Sequence, residues 1–233
     1  MTESGSKSTR NIVYWYAKLF EWLTWISVFR GVTCIISKKS KYFEKREYRI
    51  RFIEYWVFLH LVLSVISFIL VYLWGEQTWL VYILSAYGAL RTFEIMIYQV
   101  NVLLFDQYRH EMRRKQNSES DTEKEYEVEG YLRMIILLIH NVFEIIFWFA
   151  MMYMYSLGLF KIENDISNNI AQAMYISFVT MTSFGSPNYN IKDSLGMYLI
   201  SIQSIIGLIM TLLTFARFIS LLPAVKSRTE QDK

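Results

Sequence analysis

Groups able to do chemistry are few and scattered in this 233-residue chain. The single cysteine, Cys34, excludes an internal disulfide and a thiolate metal site. His60, His110 and His140 stand far apart and read as separately packed or solvated imidazoles. His140, Glu144 and Ser201 form no recognisable catalytic set, so catalysis is not expected. Two features remain. The first is charge inside apolar sequence: Arg91 and Glu94 in "GALRTFEIMIYQVN", and Glu144 one turn beyond His140. Ionisable groups in such surroundings are costly and face partners or water. Arg91 can pair with Glu94 or with Glu144, either to fix helix docking or to couple peripheral helices to a pore. The second is "YISFVTMTSFGSPNY", residues 175–189. Gly185 permits unusual backbone angles, and Pro187 cannot continue a helix. Hydroxyls and carbonyls at a helix C-terminus carry partial negative charge, so the chemistry to expect is cation coordination.

The elements that must hold these groups are membrane-length. A spanning helix needs about 20 apolar residues, and Phe52–Trp74, Trp79–Phe105, Leu132–Leu157 and Leu195–Leu222 qualify. Lys and Arg collect in "SKKSKYFEKREYRIR", in loop 106–131 and in the tail from Arg217. By the positive-inside rule these segments and both termini are cytoplasmic, while Gly75–Thr78 and 158–193 lie outside. No nucleotide-binding module fits in the polar stretches, and no nucleic-acid partner is expected. The loop 106–131 turns from basic to acidic. That pattern reads as a solvated face or as a cation-concentrating patch at a pore mouth.

Residues 11–36 place Trp15, Trp22, Trp25 and Phe29 at helical spacing with scattered charges. An amphipathic helix lying in the interface is preferred; a fifth span would put Lys7 and Arg10 outside, against the charge rule. The basic run Lys38–Arg51 anchors topology or contacts anionic lipid. Between the third and fourth spans, 170–182 carries no helix breaker but is too short to cross. It reads as a half-helix that enters, turns at "SFGSP" and leaves by the same face, tolerated in a membrane only when buried in protein or lining water.

The stretch "SFVTMTSFGSPNYNIKDSLGMYLISIQSIIGLI" resembles the pore region of the tetrameric potassium-channel family, over roughly 132–222. The resemblance implies that Thr180–Ser183 end a pore helix and that Ser183, Phe184, Gly185, Ser186 and Pro187 fall on the filter positions T-V-G-Y-G. Asn188 then falls on the following Asp, Gly196 near the start of the inner helix, and Gly207 on the gating-hinge glycine. Thr182 to Ser186 would coordinate ions, and Pro187 would shape the outer mouth. Gly207 reads as a hinge or as a close-packing site, and Met210 and Leu213 as gate-lining residues. The departures are informative. Pro187, locked near −65°, replaces the second filter glycine, and Ser186 replaces the bracing tyrosine, leaving Tyr175 without that partner. A shortened or widened filter with weak selectivity follows.

The resulting expectation is an all-α integral membrane protein. It comprises a cytoplasmic N-terminus with interfacial helix and basic segment (1–51), two peripheral spans (52–105), a charged cytoplasmic loop (106–131), a pore domain (132–222) and a tail (223–233). Its function would be passive conduction of K⁺ or Na⁺ through a homotetramer in a plasma-type membrane, with lipid contacts and no cofactor. One Arg in span two does not make a voltage sensor. A non-conducting scaffold or sensor subunit that reuses the pore fold is the alternative.

Overall fold

The computed structural model describes residues 12–39, 46–74, 78–102, 127–156, 160–162, 169–183, 189–191 and 194–221. Among them the fold is helical apart from one short antiparallel ladder. Four helices are long and apolar enough to cross a membrane. They are α3 (Arg46–Trp74), α4 (Thr78–Val100), α5 (Glu127–Ser156) and α7 (Ser194–Leu221). The helices α3 and α5 begin in polar sequence, "REYRIR" and "EVEGY", ahead of the apolar stretches they contain. Backbone hydrogen bonding continues wherever no breaker intervenes, whereas hydropathy marks only what lipid tolerates.

The central helix is α5. Apart from Glu144, its sequence is apolar around the whole circumference over "FEIIFWFAMMYMY", which suits a helix enclosed on several sides. It packs against α3, α4 and the short helix α6 (Asn169–Thr182). Ile145, Ile146, Trp148, Met151 and Tyr153 of α5 are fully enclosed and form the middle of the main core. A Cβ added at Gly88 of α4 would meet the Trp148 ring at 2.7 Å, so the missing side chain is what lets α4 approach α5 there.

The N-terminal segment is not the single helix expected over 11–36. It folds as α1 (Ile12–Leu23), a 3₁₀ turn (Thr24–Ile26) and α2 (Val28–Lys39), with axes 70° apart. The break has a local cause. Ser27 is extended at φ −71° and ψ 128°, and its Oγ accepts from the Arg30 N–H at 3.4 Å, as an N-cap residue does. If this bent pair counts as one crossing, the spans number five.

Candidate functional site

The half-helix α6 has 14 residues, about 21 Å at 1.5 Å per residue. That is short of the roughly 30 Å hydrocarbon thickness. Strand β1 (Phe160–Ile162) precedes it and β2 (Tyr189–Ile191) follows it. The two pair antiparallel, Phe160 with Ile191, Lys161 with Asn190 and Ile162 with Tyr189. The chain therefore leaves this ladder, runs through α6 and returns to the ladder. At its far end α6 stops in a left-handed residue: Ser183 has φ 56°, the one positive-φ non-glycine among the described residues. A helix commonly ends this way, although glycine is the usual occupant. The Thr182 hydroxyl donates to the Phe178 carbonyl at 2.8 Å. The last carbonyls of the helix carry the negative end of its dipole.

Two helices grip α6. From α5, the Ile146 carbonyl accepts from Ser177 Oγ at 2.7 Å. From α7, Gln203 Nε2 donates to the Ser177 carbonyl at 3.0 Å and to Ser177 Oγ at 2.8 Å. Tyr153 OH donates to Gln203 Oε1 at 2.7 Å and closes the network back to α5. Ser177, Gln203 and Tyr153 are all fully buried. Such a network is stable because each buried polar atom finds a partner. Gln203 was not singled out in the sequence. Its only signal is a lone amide inside "ISIQSIIGLI", a run otherwise apolar but for Ser201 and Ser204, which must satisfy that amide internally.

Gly207 lies against the end of α6. A Cβ there would sit 3.1 Å from the Met181 carbonyl carbon, 3.3 Å from its Cα and closer still to its oxygen. Gly207 is thus a packing point where the α7 backbone touches the α6 terminus. Met210 and Leu213, expected to line a gate, instead turn toward their own chain and are 2% and 4% exposed. Met210 joins the main core, and Leu213 packs with Val100, Phe20 and Ile209. The α7 stripe that faces away is Tyr198, Ile205, Leu208, Leu212, Phe215 and Ile219, all exposed. Its steps of three, four and seven residues keep it on one side of the helix. On α6 the exposed large apolar residues are Tyr175 and Phe178.

The charged residues converge. Arg91 Nε donates to Glu144 Oε1 at 2.7 Å and Nη2 to Oε2 at 3.3 Å, while Nη1 donates to Glu94 Oε2 at 2.7 Å. Both partners offered by the sequence are taken, and all three residues are buried. Trp148 Nε1 donates to Glu144 Oε1 at 3.4 Å. One cation and two carboxylates leave an excess negative charge, and the chain supplies a counterweight. Glu94 Oε1 accepts from the Phe29 N–H at 2.7 Å and from the Ser27 hydroxyl. A carboxylate from α4 thereby sits on the positive N-terminus of α2. The cluster joins α5, α4 and the N-terminal elbow. His140 stays apart: its Nδ1 bonds the Ile136 carbonyl of its own helix at 2.8 Å.

Of the six residues expected to form the filter and its mouth, Thr182 and Ser183 are placed as above; Phe184, Gly185, Ser186 and Pro187 lie outside the described residues. So do His110, most of loop 106–131 and the tail 223–233. No family model, no curated protein and no solved structure matches this chain, so its function must be argued from its own residues.

Proposed function

We propose that this chain is one subunit of a passive cation pore, with α6 as the pore helix and α7 as the inner helix. The carrying observation is the half-helix that ends at a left-handed Ser183 and is pinned by Ser177 and Gln203 between two span-length helices. A helix that stops short of a crossing leaves carbonyls that must be satisfied at depth. Its dipole favours a cation there. Tyr175, Phe178 and the α7 stripe are exposed on the same chain. Further copies around an axis would cover them, and by the resemblance noted above the number is four.

In this reading the "SFGSP" segment is the filter, and Pro187 in place of a glycine makes it weakly selective between K⁺ and Na⁺. Gate-lining residues come from the outward stripe, Leu208, Leu212 and Phe215, in place of Met210 and Leu213. The chain sits in a plasma-type membrane with both termini cytoplasmic, as the lysine and arginine distribution favours. The test is ion flux from purified protein in liposomes, comparing K⁺, Na⁺ and a large organic cation under matched gradients. Flux of K⁺ and Na⁺ without the large cation supports the pore and its weak selectivity. Flux of K⁺ alone sinks the argument from Pro187. Absence of flux for every ion, from protein shown to be oligomeric, returns the chain to the scaffold reading.

A further inference from the structure

The N-terminal elbow and α4 line a half-open cavity of about 220 Å³. Leu23, Leu90, Phe93 and Ile97 give it apolar walls, and Arg30 and Thr33 line it as well. We infer that this cavity holds part of an anionic phospholipid, with an acyl segment between the elbow and α4 and the phosphate on Arg30.

The charge pattern selects an anion. Glu94 also lines the cavity, but Arg91, the Phe29 N–H and Ser27 already occupy its carboxylate. Arg30 is different. Its guanidinium stacks over Trp25 at 4.4 Å and gives one hydrogen bond, Nη1 to Thr24 Oγ1 at 3.1 Å. A guanidinium has five N–H donors in a fork that matches phosphate. The residue is exposed, and no carboxylate among the described residues pairs with it. Stacking on Trp25 holds the fork in place in advance, which reduces what ordering would cost.

Position selects a lipid over a free anion. The elbow packs at the end of the bundle where α3 begins and α4 finishes. Phe29 meets Phe52 and Trp56 at 6.0 and 5.8 Å, and Asn101 Nδ2 donates to the Phe20 carbonyl at 3.0 Å. At that end α3 carries the exposed Arg49 and Arg51, basic residues of the kind that draw anionic headgroups. Leu90 and Phe93 are themselves 38% and 44% exposed, so the apolar wall continues onto the outer surface of α4. The volume is below the roughly 300–1,000 Å³ of ordinary small-molecule clefts, which suits one chain segment of an amphiphile. An inorganic anion would gain the guanidinium but leave the apolar walls uncovered.

The assignment needs the helices to lie in a membrane but does not rest on the pore reading, so it is tested by binding without ion flux. The full chain, stripped of lipid in a neutral detergent, is titrated separately with dioctanoyl phosphatidylglycerol, dioctanoyl phosphatidylcholine and inorganic phosphate, and bound molecules are counted by native mass spectrometry. Both headgroups carry the phosphate, but the choline cation of phosphatidylcholine offsets its charge beside Arg30, so phosphatidylglycerol is predicted to bind about tenfold more tightly. Arg30→Gln should abolish that preference with helical content intact, weakening phosphatidylglycerol more than phosphatidylcholine, and Arg30→Lys should keep part of it. Thr33→Trp should fill the cavity and weaken both lipids. Equal binding of the two lipids by the natural chain, an Arg30→Gln variant that keeps the preference, or inorganic phosphate competing as strongly as phosphatidylglycerol would each overturn the inference.

Discussion

Replacing Gly207 by alanine separates two roles that the sequence leaves open. If Gly207 is a flexible hinge in α7, alanine removes a helix-weakening residue and stabilises the helix by up to about 1 kcal/mol. The packing predicts the opposite sign. The added Cβ would lie 3.1 Å from the Met181 carbonyl carbon and closer to its oxygen, where real Cβ atoms are essentially never found. The obstacle is backbone, so no rotamer change relieves it. The α6 end cannot retreat cheaply either, because Met181 is buried and Ser177, one turn back, is tied to Ile146 and Gln203. Overpacking costs about 1–3 kcal/mol, and this site belongs at the upper end. With the propensity gain of about 1 kcal/mol subtracted, the net loss is about 2 kcal/mol. The assay is reversible unfolding of the purified chain in mixed micelles, with Gly207→Ala and the natural chain measured side by side. A variant equal to or more stable than the natural chain would refute the packing argument and restore the hinge.

The charge cluster predicts an asymmetry. Arg91→Gln leaves two buried carboxylates facing each other, whereas Glu144→Gln leaves a balanced Arg91–Glu94 pair. In the same unfolding assay Arg91→Gln should cost the larger amount, about 3–5 kcal/mol, with Glu144→Gln clearly less; equal losses would contradict the charge accounting. Gln203→Leu removes the donor to the Ser177 carbonyl and hydroxyl and the acceptor of the Tyr153 hydroxyl, while Ser177 keeps its bond to the Ile146 carbonyl, and should cost about 1–3 kcal/mol in the same assay. A double-mutant cycle with Tyr153→Phe should show coupling of about 1 kcal/mol, and strict additivity would mean that the two side chains do not share a bond. Under the pore reading, Ser186→Tyr combined with Pro187→Gly should raise K⁺ preference over Na⁺ in liposome flux. A conducting double variant with unchanged preference would mean that the filter lies elsewhere.

Much of the architecture is legible along the chain because the cost of leaving backbone groups unpaired in lipid forces long apolar runs into helices. The short helix before "SFGSP" is legible for the same reason, since its length and its breakers do not permit a crossing. The elbow was not. Trp15, Trp22, Trp25 and Phe29 keep helical spacing straight through the break at Thr24–Ser27, because periodicity is blind to a serine whose cap is completed by a carboxylate 67 residues away. The faces of α7 are not legible for a related reason. A helix with apolar residues on every side gives no moment to say which side meets its own chain, so nothing in the sequence marks Met210 and Leu213 as buried and Leu208 and Leu212 as exposed.

Sequence alone determined that this chain carries four membrane-length helices, a half-helix between the last two, and charges too costly to stand alone. Those follow from local quantities: hydropathy, length and the positions of glycine and proline. Tertiary structure decided which partners the charges take, that Gln203 and Ser177 seat the half-helix, and that Gly207 touches Met181. Each of these joins residues far apart in sequence. Their pairing is set by how close two helix backbones come and which side chains then face each other, and a one-dimensional pattern does not encode that.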